Sequence, residues 1–123
     1  MTSNMFNWVE IATEDISRAM TFYEKSFDLK FKTEEMGALK LAFFPSGDMR
    51  SYGASGALVK GPGYKPSADG SLPYIPVTDI DASLKKVQEN GGRILATKKS
   101  IGQYGNIGIF QDTEGNHVGL HSM

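Results

Sequence analysis

The chain carries one pattern twice, about 64 residues apart. Trp8-Val9-Glu10-Ile11-Ala12-Thr13-Glu14-Asp15-Ile16 leads into a run with Ala19, Met20 and Tyr23 at helical spacing. Leu72-Pro73-Tyr74-Ile75-Pro76-Val77-Thr78-Asp79-Ile80 leads into Ser83, Leu84 and Val87. Each copy reads as a strand, a polar stop ending in aspartate, and an amphipathic helix. A unit of this length present only twice excludes a solenoid, which needs three or more copies to bury its faces. It predicts two pseudo-symmetric halves, neither with enough apolar surface to stand alone, folding face to face with the binding cleft between them.

At 123 residues the chain has the size of one domain, 1–123, with an apolar share of 40% and a charged share of 22% that suit a globular protein. The net charge of −1 leaves no basic footprint for nucleic acid, and the pairs Lys85-Lys86 and Lys98-Lys99 read as solvated faces. The absence of cysteine removes disulfides, thiolate nucleophiles and thiolate metal sites together. No apolar run approaches a membrane span, and Met1 to Trp8 lacks the charged and apolar regions of a secretory leader. A cytoplasmic location, with no membrane partner, is the expectation.

The element order follows from periodicity. A strand is expected near Met5–Ala12, then a helix capped by Asp15 with Ile16, Ala19, Met20, Tyr23 and Phe27 on one stripe. Leu29–Thr33, Leu39–Phe43 and Gly56–Lys60 read as strands, with a turn at Glu34–Gly37 and a polar loop over Ser46–Ser55. Module one thus covers about 5–60. The turn-rich segment 61–71, opening Gly61-Pro62-Gly63-Tyr64-Lys65-Pro66, is the linker. Module two, about 72–122, has a helix from Ile80 to about Glu89 that stops at Asn90-Gly91-Gly92. Strands follow at Arg93–Lys99, Asn106–Gln111 and Asn116–Ser122, the last two joined by the tight turn Asp112–Asn116. The predicted class is α+β, a βαβββ module made twice, with two four-stranded curved sheets enclosing a cleft.

Three segments in this order resemble the vicinal-oxygen-chelate superfamily, which includes glyoxalase I, extradiol dioxygenases and bleomycin-binding proteins. They are Asp15-x-x-Arg18-Ala19-x-x-Phe22-Tyr23 with Phe27, then Asp79-Ile80-Asp81-Ala82 through Asn90-Gly91-Gly92, and finally Phe110-Gln111-Asp112-Thr113-Glu114-Gly115-Asn116-x-Val118-Gly119-Leu120-His121. The resemblance covers essentially the whole chain and is nearest to the small single-domain, glyoxalase-related members. It implies four metal-ligand positions. The first stands seven residues before the helix-opening aspartate and is Trp8; its counterpart is Leu72. The last stands four residues after the turn glycine and is Gly119, and the remaining one falls within Ser55–Val59. Indole, isobutyl and hydrogen donate nothing to a divalent metal. The resemblance therefore carries the fold across without the family's metal, and no cofactor is expected.

Strand alternation, taken from those positions, lines the expected cleft with Trp8, Glu10, Leu72, Tyr74, His117 and His121. Trp8 suits a stacking platform for a planar or cationic ligand, or a core tryptophan filling a lost metal site. Glu10 suits a general base or hydrogen-bonding anchor, or a carboxylate paired with a cation at the rim. His117 and His121, four apart in a strand and so roughly 13 Å apart, cannot share one metal; Glu10 with His121 is the one displaced metal site left open. Gly53-Ala54-Ser55-Gly56 precedes a strand and lacks the helix N-terminus that binds phosphate. Gly102-Gln103-Tyr104-Gly105 reads as a hairpin loop, with Tyr104 placed to touch a ligand from the cleft mouth. Three functions remain: a metal-independent small-molecule binder working as a homodimer, a glyoxalase-related lyase or isomerase using Glu10 or a displaced metal, and a module whose cleft is collapsed around Trp8 and Tyr74.

Overall fold

The computed structural model describes residues 4–46 and 53–123. The first half runs β1 (Trp8–Ala12), α1 (Ile16–Phe27), β2 (Lys32–Met36), β3 (Leu39–Phe43) and β4 (Ser55–Lys60). The second runs β5 (Tyr74–Pro76), α2 (Ile80–Glu89), β6 (Arg93–Ser100), β7 (Asn106–Gln111) and β8 (His117–Ser122). The two sheets have the matching orders β1-β4-β3-β2 and β5-β8-β7-β6. In each the opening strand pairs in parallel with the closing one, and the other pairs are antiparallel. This is the doubled βαβββ architecture expected from the repeat.

The capping aspartates hold the two copies in correspondence. Asp15 accepts from the Arg18 backbone N–H at 3.0 Å, and Asp79 accepts from the Ala82 N–H at 3.1 Å, each satisfying an orphan donor of its helix's first turn. Beyond α2, Gly91 takes the left-handed conformation (φ 98°) that ends a helix at low cost in glycine. α1 ends differently, with Asp28 itself left-handed (φ 53°) and its N–H bonded to the Glu24 carbonyl, a conformation that aspartate tolerates better than most residues.

Several boundaries differ from the sequence expectation. The second strand is Lys32–Met36, not Leu29–Thr33, so Glu34 and Glu35 lie inside it and only Gly37-Ala38 turns the chain, with Gly37 at φ 59°. All five of its residues are exposed; with neither face buried, hydrophobic alternation has no purchase on the register. β1 begins at Trp8 and β5 at Tyr74, so Met5–Asn7 and Leu72 fall before their strands. Of the expected loop Ser46–Ser55, residues 47–52 lie outside the described residues, and Ser55 opens β4.

One core joins the halves. Val9 and Ile11 of β1 point to the helix side of their sheet, as do Val118 and Leu120 of β8 in theirs, and all join Phe22, Tyr23, Leu84, Val87 and Phe110. The α1 aromatics reach across, with Phe22 and Phe27 each 5.9 Å from the Phe110 ring. A buried polar seam finishes the joint. The Tyr23 hydroxyl donates to Asp112 Oδ2 at 2.7 Å, and burial, together with the Asp112 charge, pushes its pKa well above the ordinary 10.0. Glu114 accepts from the Glu14 and Asp15 N–H groups and from Arg18, while Asn116 Nδ2 donates to the Ala12 carbonyl at 2.8 Å.

Candidate functional site

The helix-free face of the first sheet follows from the pairing. Trp8, Glu10 and Ala12 stand beside Ser55, Ala57 and Val59, and Ala57 and Val59 stand beside Phe43 and Leu41. A second, smaller core forms there from Leu41, Ala57 and Val59. No helix covers it. The cover from outside the sheet is Tyr64 of the connection between β4 and β5, whose ring packs on that cluster and whose hydroxyl donates to Glu10 Oε1 at 2.9 Å. That hydrogen bond and the Glu10 charge hold the Tyr64 phenol above its usual pKa of 10.0.

The equivalent face of the second sheet carries Tyr74, Pro76, His117, Gly119 and His121. Here Tyr74 lies flat over Gly119: a Cβ added at Gly119 would stand 2.4 Å from Tyr74 Cε2 and 2.5 Å from Cδ2. The space that a side chain at position 119 would enter is therefore taken by a phenol ring. Register also narrows the fourth family position. Glu10 pairs with Ala57 as Tyr74 pairs with Gly119, so Ala57 is the first sheet's counterpart of Gly119. Both positions lack a donor; Tyr74 lies over Gly119, and Tyr64 packs on the cluster to which Ala57 belongs. Trp8 and Leu72, at the other two, supply no donor either, so the residues present do not fit the metal of the vicinal-oxygen-chelate pattern. Among the described residues there is also no cluster of three or more His, Asp or Glu side chains.

The expected cleft residues separate among four hollows, one of which, about 210 Å³, is lined by Tyr74 with Val9, Ile11, Phe27 and Phe44. Glu10, Leu72 and His117 meet in a cavity of about 360 Å³ whose polar lining also includes Lys65 and Asn116. Tyr74 and His121 share a third hollow on the open face of the second sheet, with Pro76, Ile101 and Ile107. His121 Nε2 lies 2.6 Å from the Tyr104 carbonyl oxygen. A carbonyl can only accept, so Nε2 carries the proton and is not free to ligate a metal. Tyr104 sits in a 3-10 turn, Gly102–Tyr104, with its side chain exposed; it reaches the site through its backbone. Trp8 borders the fourth with Lys30 and Lys32, its ring 5.9 Å from Phe43. Glu10 and His121 line no hollow in common.

Sequence reasoning missed Tyr64, Lys65 and Asn116. The first two lay in a segment read only as a linker. The available signal was an aromatic residue among turn formers, since a tyrosine ring in a polar connection is disposed to find apolar surface. Asn116 was read as a turn residue, yet its amide spans the halves and its Oδ1 accepts the Ser67 N–H at 3.0 Å.

Comparison with known proteins places this geometry. Residues 5–120 match the model of the Glyoxalase/Bleomycin resistance protein/Dioxygenase superfamily. A glyoxylase-like domain-containing protein of Didymella fabae is 31% identical over 114 residues, covering 88% of this chain and 85% of that protein. Among solved structures, a point mutant of glyoxalase I from Zea mays superposes with a TM-score of 0.74 at 21% identity, over 94% of this chain and 46% of that one. The trypanothione-dependent glyoxalase I of Leishmania major gives 0.72 at 17% identity, over 98% and 87%. The chain thus spans less than half of the maize enzyme, and at these identities the two structures speak for the fold alone.

Proposed function

The chain belongs to the Glyoxalase/Bleomycin resistance protein/Dioxygenase superfamily, and we propose that within it this protein is a small-molecule binder that makes no use of the superfamily's metal positions. The observation that carries this reading is the pair of tyrosines, Tyr64 and Tyr74, standing where Ala57 and Gly119 leave no donor. The ligand site is the cavity shared by Glu10, Leu72 and His117. Its apolar walls take a ring or alkyl body, and Glu10 accepts a hydrogen bond from a donor on it. Phe6, Trp8, Leu72, Tyr74 and Tyr104 remain exposed, and a second copy covering part of them is the homodimer we include in the proposal. Among the described residues no helix is long and apolar enough to cross a membrane.

A thermal-shift screen of small organic molecules tests the proposal, since a ligand that binds only the folded state raises its stability by mass action. Hits should lose affinity in Glu10→Ala and, where the dimer brings Trp8 to the site, in Trp8→Ala. Stoichiometric nickel, zinc, manganese or iron in the purified protein would refute the metal-free reading. A second reading, a glyoxalase-related lyase or isomerase with Glu10 as general base, is favoured by the His117 imidazole in the same cavity. Turnover of a screened hit that disappears in Glu10→Gln, while binding persists, would select it.

A further inference from the structure

The connection from Lys60 to Tyr74 is tied down by the residues it encloses. Lys65, Ser67, Gly70, Ser71 and Pro73 form the outer wall of the Glu10 cavity. Among the described residues its long-range side-chain ties are Tyr64 to Glu10 at 2.9 Å and the Ser67 N–H to Asn116 Oδ1 at 3.0 Å. Glu10 and Asn116 both line that same cavity. Beneath Tyr64, Leu41, Ala57 and Val59 are at most 5% exposed on a face that no helix covers. The arrangement is that of a bound phenol: a planar ring on an apolar floor, and a hydroxyl on a carboxylate at its edge.

We propose that this connection is a strap over the Glu10 site, with Tyr64 a built-in occupant of the apolar floor beside the cavity, and that the ligand is a phenol whose ring takes that floor and whose hydroxyl takes Glu10 in place of Tyr64. The Tyr64–Glu10 bond is exposed to water, and such a bond is worth little net against hydration. It therefore opens readily, and a small molecule of the same chemistry displaces it once its concentration reaches the roughly millimolar effective concentration of the tethered ring. A phenol fits better than an alkylammonium because the floor offers an apolar surface of ring size with a single acceptor. The inference rests on Glu10 being the anchor of the ligand.

Hydrogen exchange of the full chain, followed by mass spectrometry over residues 61–72, tests it. Tyr64→Phe keeps the ring and deletes the latch, so exchange in this segment should quicken about two- to tenfold, the range set by one ordinary hydrogen bond. Peptides from α1 and β8 should be unchanged, which controls for folding. In the wild-type protein, millimolar p-cresol should quicken exchange in the same segment and toluene should not; Glu10→Ala should abolish the p-cresol effect. Unchanged exchange in Tyr64→Phe overturns the strap, even if p-cresol binds. Faster exchange in Tyr64→Phe with no response to p-cresol overturns the competition, and a screen with no Glu10-dependent hit would then overturn Glu10 as the anchor as well.

Discussion

Replacing Glu114 by glutamine keeps the size of the side chain and removes one negative charge from the joint between the halves. The Glu114 side chain is fully buried and accepts from the Glu14 and Asp15 N–H groups at 2.9 and 2.8 Å. It also accepts from Arg18 Nε and Nη2 at 2.8 and 3.1 Å and from the Thr113 hydroxyl at 2.9 Å. Glutamine retains one acceptor oxygen and turns an NH₂ group toward Arg18 Nε, which cannot accept from it, leaving only the Thr113 hydroxyl able to do so. The loss of charge-assisted bonds to two backbone amides, and of an anion at the N-terminus of α1, comes to about 3 kcal/mol. The Arg18 side chain is 51% exposed, so its share of that cost is small. With a urea slope of about 1.5 kcal/mol/M, the unfolding midpoint should fall by about 2 M.

The same carboxylate predicts the pH dependence of that gap. Burial raises the Glu114 pKa, but the hydrogen bonds from Arg18, the Asp15 N–H, Thr113 and the Glu14 N–H outweigh it and leave it below the ordinary 4.5. Near that pH the unfolded chain holds more protons on this group than the folded one. Its contribution is therefore complete above 4.5 and disappears as pH falls through the lower folded value. Urea titrations of both proteins from pH 7 down to pH 3 should show the wild type losing its advantage over Glu114→Gln only in the acid range. A difference under about 0.5 kcal/mol at pH 7, or one that does not narrow in acid, would refute the reasoning, since surface substitutions alone lie within that range.

Further predictions concern the tyrosines and the joint. Gly119→Ala should push the Tyr74 ring off its strand at a cost of about 1 kcal/mol, because the ring is 45% exposed and can swing outward. In a Tyr74→Ala background the same change should cost close to nothing, and a double-mutant cycle in urea reads the coupling. Tyr23→Phe leaves buried Asp112 short of the donor now at 2.7 Å and should lower stability by about 1–3 kcal/mol, with the fold unchanged by circular dichroism. Size-exclusion chromatography with light scattering should give a dimer, and a monomer at micromolar concentration would remove the homodimer from the proposal.

The architecture was legible before any coordinates because its determinants are local. Asp15 and Asp79 cap because an aspartate just before an apolar helical stripe has orphan amides within reach. The stripes themselves record which face is buried. Register failed at β2, where no face is buried and alternation records nothing. The cleft failed differently: strand parity put Glu10, Tyr74, His117 and His121 in one cleft, yet parity does not say how two sheets meet. Glu10 and His117 share a cavity while Tyr74 and His121 share another.

What the amino-acid sequence determined alone was the doubled βαβββ plan and the chemical identity of the residues at the superfamily's ligand positions. Identity is read from the letter at a position, and no packing can turn Trp8, Leu72 or Gly119 into a metal donor. What replaced the donors was decided only in three dimensions. Tyr64 reaches Glu10 across 54 residues, and Tyr74 reaches Gly119 across a strand pair. Both placements depend on the path of a connection and on surface left bare by the absence of a side chain. Neither quantity is periodic, so neither leaves a pattern in the chain.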